Sequence, residues 1–179
     1  MSEETLPIYS GRLLKKGVII DNPDAIKELK ERGYGEEEGG KLKLEDYEAL
    51  YLLYINKLKI TQRKKNISFD ELVDYSLKKD PNAWTRFLIY RDLRSRGYVA
   101  KEGFGFEVDF RVYERGAYGS KPAKYLVSSL NEGTEMKLKD LSQMVSQVSR
   151  MGKDMILAVI ERRGEVIYYR VSEMRFERK

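Results

Sequence analysis

The order of strand and helix patterns in the second half of the chain constrains the fold more than any other feature. Five segments have the composition or alternation of strands: 98–101, 106–113, 125–130, 154–161 and 165–174. Between the third and fourth, residues 137–151 repeat apolar side chains at helical spacing, and Gly152 ends that pattern. The side chains expected to face inward from this helix are Leu138, Leu141, Val145 and Val148. The order β-β-β-α-β-β predicts one sheet that carries a helix.

The alternation is clearest in FEVDFRVY, residues 106–113. Its apolar side chains, predicted to share one face, are Phe106, Val108, Phe110 and Val112. The side chains predicted on the other face are Glu107, Asp109, Arg111 and Tyr113. One buried and one more polar face are typical of a strand that packs on a core from one side.

The first half has a different order of elements. Residues 11–20 predict a strand, and Asn22 followed by Pro23 predicts the start of a helix that ends at Gly33. The next segments predict a loop, a strand, a helix, a strand and a basic loop, at 33–40, 41–44, 45–57, 58–60 and 61–66.

Two more helices are predicted around residue 80. Ser68 and Glu71 have the spacing of a capping box, and Asp80-Pro81 restarts a helix that Gly97 ends. The apolar stripe of the second helix is Ala83, Phe87, Tyr90 and Leu93. We therefore predict an α/β chain, more closely a two-domain α+β fold. A small N-terminal α+β domain covers 1–80, and a mixed-sheet domain flanked by helices covers 81–179.

Composition excludes most catalytic chemistry. The chain of 179 residues has no cysteine and no histidine, so it has no thiol nucleophile, no Ser-His-Asp triad and no histidine metal site. Tyrosine and lysine titrate near pH 10 and carboxylic acids near pH 4, so proton transfer at neutral pH needs a large pKa shift.

Charge suggests an environment and a partner. Charged residues are 35% of the chain and the net charge is +5, which is compatible with RNA binding and with a thermophilic source. An ordinary solvated surface accounts for the same excess of lysine equally well. No apolar run approaches the length of a membrane span, and the acidic N-terminus does not have the pattern of a secretory signal, so we expect a cytoplasmic protein.

Three stretches resemble the tRNA-intron endonuclease family of archaea. They are YRDLRSRGYVAKEG (90–103), VDFRVYERGA (108–117) and SRMGKDMILAVIERRGEVIYY (149–169). The resemblance implies a restriction-endonuclease-like C-terminal domain and metal-independent RNA cleavage without a cofactor. In that reaction a ribose 2′-OH attacks the adjacent phosphate, which gives a 2′,3′-cyclic phosphate and a 5′-OH.

The resemblance also implies three catalytic groups. A tyrosine takes the 2′-OH proton, a histidine protonates the leaving oxygen and a lysine stabilises the developing charge. Tyr113 matches the tyrosine and Lys153 the lysine, whereas Pro122 stands at the position of the histidine. Lys121 and Lys124 are the neighbouring alternatives for the acid. A lysine serves as an acid at neutral pH only when it is strongly desolvated, and this loop is polar.

The same residues also have ordinary structural roles. A tyrosine at a strand end usually contributes packing, and a lysine after a helix is favoured by the helix dipole. Asp109 and Glu107 could suggest a metal nuclease, but the following strand, YLVSSL, lacks the E-x-K pattern of such sites. Alternating charges on one strand face are more often surface ion pairs.

The missing acid leads to a hypothesis about assembly. We expect a structural subunit of a heterotetramer of α2β2 type, whose histidine-bearing partner is catalytic. The last strand would meet the partner, with the candidate interface residues Glu161, Glu165, Val166, Tyr168 and Tyr169. Two arginines lie between the two glutamates, in a loop that is acidic in the family.

The expected substrate is precursor tRNA with a bulge–helix–bulge, recognised by shape and phosphate position. Candidate RNA contacts, chosen by charge, are Lys64, Lys65, Lys121 and Lys124. Two alternatives remain: an active homo-oligomer with a substituted acid, and a stand-alone RNA-binding module.

Overall fold

The N-terminal unit is built on a six-stranded sheet. The computed structural model describes residues 7–104 and 108–176, and the chain divides into two compact units, Met1–Arg91 and Asp92–Lys179. The strands of the first sheet are β1 (Tyr9–Leu14), β2 (Gly17–Ile20), β3 (Glu36–Glu38), β4 (Lys41–Leu44), β5 (Leu58–Gln62) and β6 (Lys65–Ile67). Their order is β3-β4-β2-β1-β5-β6, and β1 and β5 are the parallel pair of this otherwise antiparallel sheet.

Four helices follow from the caps and stripes that the sequence predicts. They are α1 (Pro23–Glu31), α2 (Asp46–Tyr54), α3 (Phe69–Lys79) and α4 (Ala83–Ser95). The Asn22 side chain accepts a hydrogen bond from the Ala25 amide at 3.0 Å, which confirms the predicted N-cap. Ser68 and Glu71 form both bonds of the capping box, at 3.2 and 2.9 Å. The four stripe residues of α4 are buried, as predicted.

Two predictions for the first half are wrong. Residues 11–20 are not one strand but a hairpin, since β1 and β2 pair around a turn at Lys15 and Lys16. Gly17, which directly follows the turn, has a φ of 130°, a backbone conformation that glycine adopts more readily than other residues. Residues 61–66 are not a loop, because β5 continues to Gln62 and pairs with β6. The two-residue turns of these hairpins are polar and exposed, and composition alone does not reveal which strands pair.

The predicted loop at 33–40 also contains a strand. β3 pairs with β4 although its three residues are exposed glutamates. Glutamate has a low strand propensity, so no local pattern indicates this edge strand.

The C-terminal unit is a five-stranded mixed sheet with a helix on it. Its strands are β7 (Val99–Glu102), β8 (Phe110–Tyr113), β9 (Tyr125–Asn131), β10 (Asp154–Ile160) and β11 (Val166–Val171). Their order is β11-β10-β9-β8-β7, with β9 and β10 parallel and the other neighbours antiparallel. The helix α5 (Leu138–Arg150) lies between β9 and β10 in the chain. The predicted two-domain α+β class is confirmed.

The helix α5 covers a core on one face of this sheet. That core is Leu126, Met144, Val145, Val148 and Met155. Leu138 was predicted to face inward, but it is 81% exposed. It is the first residue of the helix and precedes the turns that reach the sheet, so helical spacing alone misplaces it.

The strand predicted at 106–113 is shorter in the structure. Phe110 and Val112 are buried, as the alternation predicts. Phe106 and Glu107 lie outside the described residues.

Candidate functional site

Three strand ends meet at one end of the C-terminal sheet. β8 ends at Tyr113, and β9 begins beside it because the two strands are antiparallel. β10 begins beside β9 because that pair is parallel. The Lys124 amide donates to the Val112 carbonyl at 3.0 Å, and the Asp154 amide donates to the Lys124 carbonyl at 3.0 Å. The fold therefore brings the matched positions near residues 113, 122 and 153 to one place.

A tight turn after β8 places a second tyrosine against the first. The rings of Tyr113 and Tyr118 meet edge to face, with centroids 5.0 Å apart and planes at 88°. The turn closes through the Ala117 carbonyl, which accepts from the Lys121 amide at 2.8 Å. This contact favours one orientation of the Tyr113 ring, because an edge-to-face pair has a preferred geometry.

Lys153 is engaged by the backbone. Its ammonium group donates a hydrogen bond to the carbonyl of Ala123, and the side chain is half-buried. The positive charge thus lies next to the segment that would carry the acid.

Lys124 is held in its charged form. Its ammonium lies 2.6 Å from a carboxylate oxygen of Glu114, and this hydrogen bond raises the pKa of Lys124 above its ordinary value. The same bond lowers the pKa of Glu114. A general acid at neutral pH needs a lysine pKa shifted downwards, so the shift of Lys124 has the wrong sign for that role.

The position that the resemblance matches to the histidine contains no ionisable side chain. Pro122 is exposed and Ala123 is buried, and neither can donate a proton to a leaving oxygen. The side chains around Tyr113 are therefore phenols, ammonium groups and the Glu114 carboxylate, and none of these groups ordinarily titrates near neutral pH.

Asp109 has a structural partner. One of its oxygens accepts from the amide of Ser129 at 2.7 Å and from the Ser129 hydroxyl at 2.5 Å. Glu107, the other carboxylate of the metal-nuclease alternative, lies outside the described residues. Among residues 7–104 and 108–176, no three potential ligands are grouped so that they could hold a metal ion.

The candidate interface residues of β11 differ in their surroundings. The Tyr168 hydroxyl donates to Asp92 at 2.8 Å, and burial followed by this bond raises the pKa of Tyr168. Tyr169 is 52% exposed and Ile167 37% exposed on the opposite face, while Val166 is half-buried. The alternation of side chains along the strand predicts that Tyr168 and Tyr169 lie on opposite faces. It does not predict which of the two faces is buried.

The hairpin between β10 and β11 carries the mixed charge of the sequence ERRGE. The Glu161 amide donates to the Glu165 carbonyl at 2.9 Å, which closes the turn. The guanidinium of Arg162 lies 3.5 Å from Glu132, with 91% of its side chain exposed.

The four candidate RNA contacts divide between the two units. Lys64 and Lys65 belong to the β5–β6 hairpin of the N-terminal unit, and Lys65 pairs with Glu71 at 2.7 Å. Lys121 and Lys124 belong to the turn beside Tyr113. Sequence reasoning missed Tyr118 and Glu114, since their contacts depend on how the turn folds back.

Comparison with known proteins decides the family. The sequence model "tRNA intron endonuclease, N-terminal domain" matches residues 9–73, and "tRNA intron endonuclease, catalytic C-terminal domain" matches 83–168. The chain belongs to the tRNA-intron endonuclease family. The tRNA-splicing endonuclease of Methanococcus maripaludis is 31% identical over 174 residues, which cover 97% of each chain.

Two further family members have similar coverage. The tRNA-splicing endonuclease of Thermococcus onnurineus is 35% identical over 153 residues, 85% of this chain and 88% of its own. That of Pyrococcus furiosus is 34% identical over 160 residues, 89% of this chain and 92% of its own. In the part of this chain that the structure describes, no helix has the length and apolar character of a membrane span.

Proposed function

We propose that this chain is the structural subunit of a tRNA-splicing endonuclease that removes introns from precursor tRNA at bulge–helix–bulge sites. Its partner is a histidine-bearing subunit of the same family, in an assembly of α2β2 type. The complex cleaves by attack of the 2′-OH on the adjacent phosphate, which leaves a 2′,3′-cyclic phosphate and a 5′-OH. The names of the relatives, and the near-complete coverage of each chain, support the substrate.

The observation that carries the proposal is the acid position. Pro122 stands there, and the ammonium groups of Lys153 and Lys124 are bound to the Ala123 carbonyl and to Glu114. Without an acid, the leaving oxygen departs as an alkoxide. General-acid catalysis typically contributes about 10²–10⁴ in rate, so this chain alone should cleave poorly.

Two features support an assembly role. β11 is an edge strand within the described sheet, so a partner strand can pair with its free side. Its outer face presents Ile167 and Tyr169, which are suited to an apolar contact. Glu161 and Glu165 flank the hairpin tip, where a cationic partner surface would pair with them.

A mixing experiment tests the proposal. The pure chain is incubated with a bulge–helix–bulge RNA alone, and again with a histidine-bearing family member from the same organism. We expect cleavage in the mixture and not with the chain alone. Cleavage by the chain alone would show that it is itself an enzyme. RNA binding without cleavage in either case would indicate a binding module.

An active homo-oligomer is the second candidate. It is favoured by the retained positions of Tyr113 and Lys153 at one end of the sheet and by the ring of Tyr118 against Tyr113. In that case Tyr113→Phe would abolish cleavage by the chain alone, whereas a structural subunit has no such activity to lose.

A further inference from the structure

Two hairpin turns of the N-terminal unit each consist of two cations. Lys15 and Lys16 connect β1 to β2, and Arg63 and Lys64 connect β5 to β6. All four side chains are exposed. We call these four residues the dibasic edge.

The two turns are neighbours in the sheet. β1 and β5 are parallel and directly paired, with Arg12 opposite Thr61. Both strands end within two residues of that pair, at Leu14 and at Gln62, so both turns leave the same end of the sheet. Adjacent strands are about 4.8 Å apart, which brings the four cations within reach of neighbouring phosphates on one RNA strand.

The second turn places two non-glycine residues in a backbone conformation that glycine and asparagine prefer. Arg63 and Lys64 have φ values of 48° and 68°, the left-handed region that two-residue hairpin turns fill with Asn-Gly or Gly-Gly. The same sheet shows the ordinary solution: Gly39 and Gly40 connect β3 to β4 with φ values of 57° and 75°. Both side chains are exposed, so packing does not explain why two long side chains rather than glycine occupy positions 63 and 64.

The charges of the dibasic edge are not neutralised within the unit. In the described part of the chain, none of the four cations forms an ion pair. Nearby cations do: Lys65 lies 2.7 Å from Glu71, and Lys79 lies 3.0 Å from Asp46. The end of the sheet therefore presents a local positive potential, although the whole chain carries a net charge of only +5.

We propose that the dibasic edge binds the phosphodiester backbone of double-stranded RNA. Lysine and arginine on two rigid turns match phosphates in position but present nothing that reads bases, so the contact is independent of sequence. The inference rests on the proposed function for one point only, the natural RNA ligand. That ligand would be the helical arms of the precursor tRNA. This site is separate in the chain from the residues around Tyr113.

The test replaces the turn without harming the fold. In Arg63→Asn/Lys64→Gly the two cations give way to the residues that the turn prefers, so a folded and more stable protein is expected. The full chain is titrated into a short, blunt, fluorescein-labelled RNA duplex over a series of potassium chloride concentrations. Affinity should fall roughly tenfold at low salt, and the slope of log K against log salt should fall by about 2.

Two further variants complete the design. Lys15→Gln/Lys16→Gln should weaken binding in the same way, since it removes the neighbouring turn's charges. Lys27→Gln/Lys41→Gln removes two exposed cations near the β3–β4 turn, at the opposite end of the sheet, and should leave affinity and slope close to the wild type. An RNA duplex with bulges should give the same differences among the variants.

Three results would overturn the inference. The wild-type chain could fail to bind the duplex, the Asn-Gly variant could bind as the wild type does, or the control could lose as much affinity as the variant. Weaker association of the Asn-Gly variant with the histidine-bearing subunit at unchanged RNA affinity would identify a protein contact instead. The proposed function is tested independently, by the cleavage assay with mixed subunits, so its failure can be distinguished from failure of this inference.

Discussion

Lys124 precedes β9 and Lys153 precedes the neighbouring strand β10, yet the two ammonium groups have different surroundings. The ammonium of Lys153 is half-buried against a backbone carbonyl, whereas the Lys124 side chain is 46% exposed and paired with Glu114. The hydrogen bond to Glu114 raises the pKa of Lys124, which is opposite to the shift that a general acid at neutral pH needs. At the scale of the residue, the proposal that this chain lacks a general acid therefore depends on Pro122.

Restoring the acid is the direct test at this scale. Pro122→His places an exposed imidazole, with a pKa near 6.5, where the resemblance expects one. We expect cleavage of a bulge–helix–bulge RNA by the Pro122→His chain alone to become measurable, at a single-turnover rate at least about 100-fold above that of the control variant. The control is Pro122→Ala, which removes the ring without adding an acid. Equal rates for the two variants would contradict the prediction, as would a gain that survives Tyr113→Phe.

Tyr168 gives a prediction about stability. Its phenol is largely buried and donates to Asp92, so its pKa is raised above the ordinary value near 10. The hydroxyl's contribution to the free energy of unfolding is complete below the ordinary tyrosine pKa near 10. It is lost as the pH rises from there through the raised pKa of the folded state, because the folded state disfavours the phenolate. Tyr168→Phe should lower the free energy of unfolding by about 2 kcal/mol at pH 8. Asp92 keeps its bonds to Arg96 at 2.8 and 3.2 Å.

Urea unfolding at pH 8 and at high pH checks this. The difference between wild type and variant should shrink at the higher pH, since only the wild type has the phenol to ionise. A difference that stays constant would mean that the hydroxyl contributes packing alone. Tyr169→Phe is the matched control, because that ring is 52% exposed.

At the scale of the element, two hairpins of the first sheet have turns in the left-handed backbone region but fill them with different residues. The turn of β3 and β4 uses glycine, while that of β5 and β6 forces two long side chains into the left-handed region. A non-glycine residue there costs about 1 kcal/mol or more, because its Cβ crowds the following carbonyl. The β5–β6 hairpin is thus less stable than it would be with glycine or asparagine in the turn.

The stability change of this turn follows from the same argument. Arg63→Asn/Lys64→Gly should raise the free energy of unfolding by about 1 kcal/mol, measured in urea. The reciprocal change, Gly40→Lys, should lower it by about the same amount. A Cβ at residue 40 meets no atom within 4 Å, so only the backbone conformation is penalised. Destabilisation by the first variant would show that the two cations hold the turn.

At the scale of the whole molecule, two compact units each carry their own sheet and their own surface. The N-terminal unit has the dibasic edge, and the C-terminal unit has the strand ends around Tyr113 and the free side of β11. The domain boundary expected near residue 80 stays a prediction. The helix α4 spans the division between Arg91 and Asp92, and the family models match up to residue 73 and from 83.

Assembly should depend on the outer face of β11. Ile167→Lys/Tyr169→Lys places two charges in the proposed contact and should weaken association with the catalytic subunit at least about tenfold. Sedimentation velocity on the mixed subunits measures this. Leu77→Lys, at a similarly exposed apolar residue of the other unit, is the control. Unchanged association of the double variant would exclude this face.

The sequence alone determined the family, most of the elements and the absence of histidine. Periodicity identifies helices and strands because it is local, and caps such as Ser68 with Glu71 act within a few residues. The absence of histidine is a matter of composition, and no fold can supply that group.

The tertiary structure decided which residues are neighbours. The bond from Lys153 to Ala123, the packing of Tyr118 on Tyr113 and the inward direction of Tyr168 all depend on strand order and register. The pairing of β1 with β5, which joins the two basic turns, connects segments that are far apart in the chain. Such contacts depend on how distant segments pack, so local patterns cannot specify them.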